Sequence, residues 1–191
     1  MQEKYPDAEI CVFDSICASG GHGLLIYHAI ENKKKGMSVK ENMQALEELK
    51  HRIVHKFTVD DLTYLQRGGR ISKTAAVIGG MIQLKPVLHV DTEGRLAAES
   101  KVRGRKKALN QLLAEMDICT GGYADKQDVV LICHADCPED AEYVRAKVEE
   151  KYHPNKIIMS EVGPIVGAHV GPGTMAVSYT HLRAHETRHD L

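Results

Sequence analysis

Leu84-Lys85-Pro86-Val87-Leu88-His89-Val90-Asp91-Thr92-Glu93-Gly94-Arg95-Leu96-Ala97-Ala98-Glu99-Ser100-Lys101-Val102 reads as two extended runs, Pro86 to Val90 and Leu96 to Val102, joined by a tight turn. Asp91 is a turn former at the first position of Asp91-Thr92-Glu93-Gly94 and Gly94 stands at the fourth, so the runs fold back on each other as a hairpin. A hairpin needs further strands and a covered face to be stable, so the segments on either side must supply them.

Downstream, residues 104 to 118 carry Leu109, Leu112, Leu113 and Met116 at helical spacing, Val129 to Cys133 is a short apolar strand, and Pro138-Glu139-Asp140 opens a helix with Ala141, Val144, Val148 and Tyr152 as its stripe. Lys156 to Met159 and Thr174 to Ser178 add two more strands. Upstream, Lys56 to Val59 is extended, Asp60-Asp61 caps a short helix with Leu62 and Leu65 inward, Gly68-Gly69 ends it, and Ser72 caps a further element over Lys73 to Ile82. Hairpins with helices distributed among them predict an α+β domain over residues 55–178 built on a mixed or antiparallel sheet.

The first 54 residues follow another pattern. Ile10 to Phe13 is a strand candidate, Asp14-Ser15-Ile16-Cys17-Ala18-Ser19-Gly20-Gly21-His22-Gly23 a glycine-rich loop, and Leu24 to Ile30 an apolar helix that closes on Lys33-Lys34-Lys35-Gly36. Ser38 and Glu41 form a capping box ahead of a second helix, on which Met43, Leu46, Leu49, Lys50 and Ile53 define one stripe. One strand with two helices cannot pair its edges, so either the rest of its sheet is lost before Met1 or another chain or the downstream domain supplies its neighbours; the favoured expectation is that residues 1–54 are the C-terminal remnant of a partial parallel-sheet α/β domain truncated at its N-terminus. Residues 179–191, with three of the chain's eleven His and little apolar content, are expected to be a non-native or disordered tail outside any mechanism.

Across 191 residues, 25 Lys and Arg balance 26 Asp and Glu, and 43% of residues are apolar. That composition fits a folded soluble chain and lacks the basic excess of a protein that tracks nucleic acid. No apolar run reaches the roughly 20 residues of a spanning helix, and Met1-Gln2-Glu3-Lys4-Tyr5-Pro6 has no apolar core or small-residue cleavage site, so the expected location is the cytoplasm. Five scattered cysteines, an odd number, read as reduced thiols.

Four groups have chemical potential. The Asp14 to Gly23 loop places Ser15 and Ser19 at a helix start, either as an anion cradle or as a plain turn. Arg70, in Gly68-Gly69-Arg70, sits between two helices, where a guanidinium binds a carboxylate or phosphate, or caps the helix before it. Lys101, Arg103 and Arg105, with Lys106 and Lys107, make five cations in seven residues, a solvated face or a contact for an acidic partner. His169 is framed by glycines and prolines from Gly163 to Thr174, a long composed loop, and is either structural or a hydrogen-bond partner for an anion. No Cys/His set has the spacing of a metal site, so no metal ligand is assigned.

Asp60-Asp61-Leu62-Thr63-Tyr64-Leu65-Gln66-Arg67-Gly68-Gly69-Arg70-Ile71-Ser72, Leu84-Lys85-Pro86-Val87-Leu88, Lys101-Val102-Arg103 and Gly163-Pro164 through Gly173-Thr174 together resemble the DegV family of bacterial fatty-acid-binding proteins. Asp14-Ser15 with Ser19-Gly20-Gly21-His22-Gly23 resembles its middle motif. The resemblance implies a two-domain fold enclosing one long-chain fatty acid between the domains, with no other cofactor. It also implies a carrier, not an enzyme, whose partner is a fatty acid kinase that makes acyl phosphate for phospholipid metabolism. No nucleic acid and no integral membrane segment are implied, and transient contact with a membrane surface is compatible with the role. Arg70 and His169, with Ser15 and Ser19, would hold the ligand, while Arg103, Lys101 and Arg105 would face the kinase. The family's preceding sheet segment, with its hydroxyl motifs for the carboxylate, has no counterpart here. The competing reading is a stand-alone phosphotransferase or hydrolase using Ser15, Ser19 and His169.

Overall fold

The computed structural model describes residues 3–72, 84–120 and 128–181. The element expected over Lys73 to Ile82 lies outside the described residues. Twelve elements follow in the order α1 (Ser19–Lys34), α2 (Val39–Lys50), β1 (Ile53–Thr58), α3 (Leu62–Arg67), β2 (Leu84–Val90), β3 (Leu96–Arg103), α4 (Arg105–Thr120), β4 (Val129–His134), α5 (Pro138–Tyr152), β5 (Lys156–Glu161), α6 (Pro164–Val170) and β6 (Met175–Thr180).

The strands form one sheet in the order β3-β2-β1-β6-β4-β5. Pairing is antiparallel throughout except for β4 against β5. The hairpin read from the sequence is β2 and β3, with Val90 opposite Leu96 at its tip and Leu84 opposite Arg103 at its far end. Asp91 organises the turn by accepting hydrogen bonds from the backbone N–H of Glu93 and of Arg95.

Helices cover both faces. All six residues of β4 are buried, and its side chains alternate between two cores. Val130 and Ile132 join Leu109, Leu112 and Met116 of α4 and Val144, Val148 and Tyr152 of α5. Val129, Leu131 and Cys133 join Leu24 and Leu25 of α1 and Leu46 of α2. A third cluster lies farther along that second face, where Phe57, Leu65, Leu88 and Val170 bring α3 and α6 onto β1 and β2.

Local signals read from the sequence recur. Ser38 accepts from the Glu41 backbone N–H at 3.3 Å, and the Glu41 carboxylate accepts from the Ser38 N–H at 2.8 Å, completing the capping box. Asp61 caps α3 by accepting from the Thr63 N–H at 2.8 Å.

Four expectations need correction. Ile10 to Phe13 is not a strand in this structure: no neighbouring strand pairs with it, and Val12 is 95% exposed. Ser19 to Gly23 belongs to α1 rather than to a loop, and α1 and α2 lie on the sheet formed by the later strands. Ile53 leaves the α2 stripe to start β1. Pro164–Val170 is helical where a loop was expected, because Pro164 suits a first helical turn and the apolar Val166 and Val170, four apart, pack with Leu65.

The boundary placed after Ser178 also moves. Tyr179 and Thr180 complete β6 opposite Val54 and Ile53, and the His181 backbone exchanges hydrogen bonds with Arg52. Residues 182–191 lie outside the described residues.

Candidate functional site

A cavity of about 660 Å³ opens on the α1 face of the sheet. Its floor is two cross-strand pairs of β1 and β6, His55 opposite Ser178 and Phe57 opposite Ala176, whose side chains share one face because they are in register. Its walls come from Ser19 and Gly20 at the start of α1, Leu65, Gly69 and Arg70 at the end of α3, and the hairpin tip at Val90 and Gly94 to Leu96. Val162, just after β5, and Ile165, Val166, His169 and Val170 of α6 close it. The lining surface is mostly apolar, and Ser19, His55, Arg70, Arg95, His169, Thr174 and Ser178 add polar side chains to it.

Three of the four residues expected to meet a ligand, Ser19, Arg70 and His169, line this cavity together. Arg70 is exposed at the loop after α3, and its backbone N–H is anchored to the Leu65 carbonyl at 2.8 Å. Among the described residues no carboxylate pairs with its guanidinium. His169 comes from the last turn of α6, and its Nδ1 is buried without a hydrogen-bond partner among the described residues. Ser15, the fourth, does not line the cavity: its hydroxyl lies 3.1 Å from His22 Nδ1 and donates to the Cys17 carbonyl.

The residues expected to face a partner sit elsewhere. Lys101 and Arg103 are exposed toward the far end of β3, five and seven residue steps from Leu96 at the hairpin tip that lines the cavity, which at strand rise is about 17 and 23 Å. Arg105 is engaged within the chain, donating to Asp140 at 2.7 Å and Asp60 at 3.2 Å. Arg105, Asp60 and Asp140 border a second concavity with Asp61, Tyr64, Asp136 and Cys137. Among the described residues no group of three or more His, Cys, Asp or Glu is placed to hold a metal ion. All five cysteines are free.

The sequence reading missed the polar chain in the cavity floor. His55 Nδ1 lies 3.4 Å from Ser178 Oγ and its Nε2 lies 3.1 Å from Cys17 Sγ. Burial drives the imidazole pKa down from 6.5 to about 4, so the ring is neutral at physiological pH. Burial, and then the Asp14 carboxylate, push the Cys17 thiol up to about 11, so it is a protonated thiol rather than a nucleophile. One signal for His55 was available: it falls between Ile53 and Phe57 on the inward period of a strand, where a polar residue needs a partner.

The first turn of α1 is built around His55. A Cβ on Gly21 would overlap the imidazole ring, and one on Gly20 would lie 3.0 Å from both Leu131 and Ser178. The glycines therefore bring the helix down onto the sheet, where the sequence alone left an anion cradle and a plain turn open. Gly21→Ala is expected to lower the unfolding free energy by about 1–3 kcal/mol, measured by urea denaturation, the cost of overpacking a filled site. Unchanged stability would show that the ring relocates freely.

A family model described as "Uncharacterised protein, DegV family" matches residues 1–182. The chain belongs to the DegV family. A DegV domain-containing protein of Clostridium perfringens is 42% identical over 179 residues, covering 94% of this chain and 61% of that protein. A fatty-acid-binding DegV family protein from Streptococcus agalactiae superposes with a TM-score of 0.78 at 27% identity, over 95% of this chain and 63% of the other. The Fatty Acid Kinase (Fak) B3 protein of Streptococcus pneumoniae, solved with linoleic acid, has the same fold, with a TM-score of 0.85 at 21% identity over 94% of this chain and 63% of that one. The chain spans about three fifths of the length of the curated DegV relatives it matches. The mixed α/β sheet described above is thus the DegV fold.

Proposed function

We propose that this DegV chain forms the cavity of a fatty-acid carrier, and that the whole protein binds one long-chain fatty acid and presents its carboxylate to a separate fatty acid kinase for acyl phosphate formation. The observation that carries this reading is the cavity itself: a largely apolar enclosure in which Arg70, from the loop after α3, and His169, from the neighbouring α6, stand among the polar groups, with His55 and Arg95. Its volume falls within the range of about 300–1,000 Å³ common to small-molecule sites, and an aliphatic lining suits an alkyl chain. The S. agalactiae neighbour at 27% identity, a fatty-acid-binding protein, supports carrying the ligand class over.

In this reading the ligand is the only bound group and the chemistry belongs to the kinase. Lys101 and Arg103, exposed beyond the cavity, are the proposed kinase-facing residues, with Arg105 bracing the same corner through Asp60 and Asp140. No described helix is long and apolar enough to cross a membrane. A cytoplasmic carrier feeding phospholipid metabolism, with transient contact at a membrane surface, is the setting we propose. The enzyme alternative gains no support, because no hydrogen bond among the described residues joins Ser15 or Ser19 to His169.

Solvent extraction of the purified chain followed by mass spectrometry is expected to release a long-chain fatty acid. Arg70→Ala and His169→Ala are each expected to weaken fatty-acid binding by roughly 10- to 100-fold, the effect of removing one hydrogen bond to a charged group, with the fold retained by circular dichroism. Unchanged affinity in both folded variants would overturn the assignment.

A further inference from the structure

Gly68 and Gly69 end α3 side by side, and they are glycine for different reasons. Gly69 has φ of +68°, in the left-handed region, and a Cβ there would meet nothing within 4 Å. Gly68 has φ of −73° and ψ of −1°, which any L-residue adopts without strain. Its backbone conformation gives no reason for glycine.

The reason lies across the interface with α6. A Cβ on Gly68 would overlap His169 Nδ1 and come within 3.0 Å of the two ring carbons bonded to it, Cγ and Cε1. The imidazole therefore presents its Nδ1 corner to the bare α-carbon of Gly68, which leaves Nε2 on the edge directed away from it. No hydrogen bond makes this contact: among the described residues Nδ1 has no partner, and the Gly68 N–H already donates to the Tyr64 carbonyl at 2.9 Å. The seat is steric. Gly69 N–H to Gln66 and Arg70 N–H to Leu65 fix the same turn, so the segment that seats His169 also sets the position of Arg70.

We infer that Gly68 is a positioning residue, whose missing side chain is the seat of the His169 imidazole at the cavity wall beside Arg70. The inference rests on the carrier reading only in giving His169 a ligand; the seat exists without one. In the neutral ring, an Nδ1 pressed against carbon with no acceptor in reach puts the proton on Nε2, where it is available to donate to an anionic oxygen.

The test is a cycle of Gly68→Ala, His169→Ala and the double variant in the full chain. Three readouts are taken: ligand-free ¹H–¹⁵N imidazole spectra, melting temperature, and titration with cis-parinaric acid as a long-chain fatty-acid probe. Gly68→Ala is expected to displace the His169 ring resonances, identified by their loss in His169→Ala, and to lower the melting temperature. In the His169→Ala background the same alanine is expected to cost nothing and even to raise the melting temperature, since an alanine at a right-handed position restricts the unfolded chain. Probe affinity is expected to fall about tenfold in either single variant and no further in the double. Unmoved ring resonances, or an equal loss of melting temperature in both backgrounds, would overturn the seat. Displaced resonances and rescue, with probe affinity indifferent to all three variants, would uphold the seat and overturn the carrier reading of His169.

Discussion

Tyr179→Ala is expected to lower the unfolding free energy by about 3–5 kcal/mol, the range for removing a large buried ring. Tyr179 is fully buried in β6, opposite Val54, and packs in the cluster that joins α4 and α5 to the sheet. Truncation to alanine removes apolar area from water and leaves a cavity that surrounding helices fill only partly. Tyr179→Phe is the control: the buried hydroxyl has no hydrogen-bond partner among the described residues, so deleting it is expected to change stability by about 1 kcal/mol or less. Urea denaturation of both variants checks the pair. Equal losses would show that the hydroxyl, not the ring, holds β6. A chain ending at Ser178 is expected to behave like Tyr179→Ala, whereas one ending at His181 keeps its last strand.

Acidification from pH 6.5 to 4 is expected to cost about 3 kcal/mol of stability through His55 alone, given its folded-state pKa of about 4 against 6.5 when unfolded. The sign follows from proton counts. Across that interval the unfolded chain has taken up a proton at this position and the folded chain has not, so lowering the pH favours unfolding. Above pH 6.5 the neutral ring contributes its full stabilisation, and below pH 4 both states are protonated and the loss is complete. His28 on α1, also lowered by burial, adds a loss in the same direction. Asp61 and Asp91 act in a lower window, since backbone and side-chain hydrogen bonds hold their carboxyls below 3.8. Unfolding curves at half-unit pH steps are expected to show the slope in the native chain and a shallower one in His55→Gln. An identical slope in that variant would show that His55 titrates normally.

The same residues mark how far sequence reading reached. The β2–β3 hairpin, the Ser38–Glu41 box, the Asp61 cap and the stripes of α4 and α5 were legible because each is a local rule with a short period or fixed offset. Arg70 and His169 were singled out by their glycine-framed loops and by the family resemblance, and both line the cavity. The strand proposed at Ile10 to Phe13 failed because an apolar run becomes a strand only when another strand satisfies its backbone, and periodicity does not report a partner. The reading of Ser19 to Gly23 as a loop failed for a related reason: glycine lowers helix propensity locally, yet here close contact with His55 and Leu131 outweighs that cost.

Composition, capping residues and hydrophobic spacing by themselves determined the class of fold, most element positions and which charged residues stand out. Only the tertiary structure decided that Ser15 turns to His22, that Arg105 is held by two aspartates, and that His55 and Ser178 floor the cavity. It also decided why Gly68 must be glycine, which its own dihedral angles do not reveal. The physical reason is range. Caps, turns and stripes are interactions within a few residues, whereas a cavity is made by side chains more than a hundred positions apart whose proximity is set by strand register and helix packing.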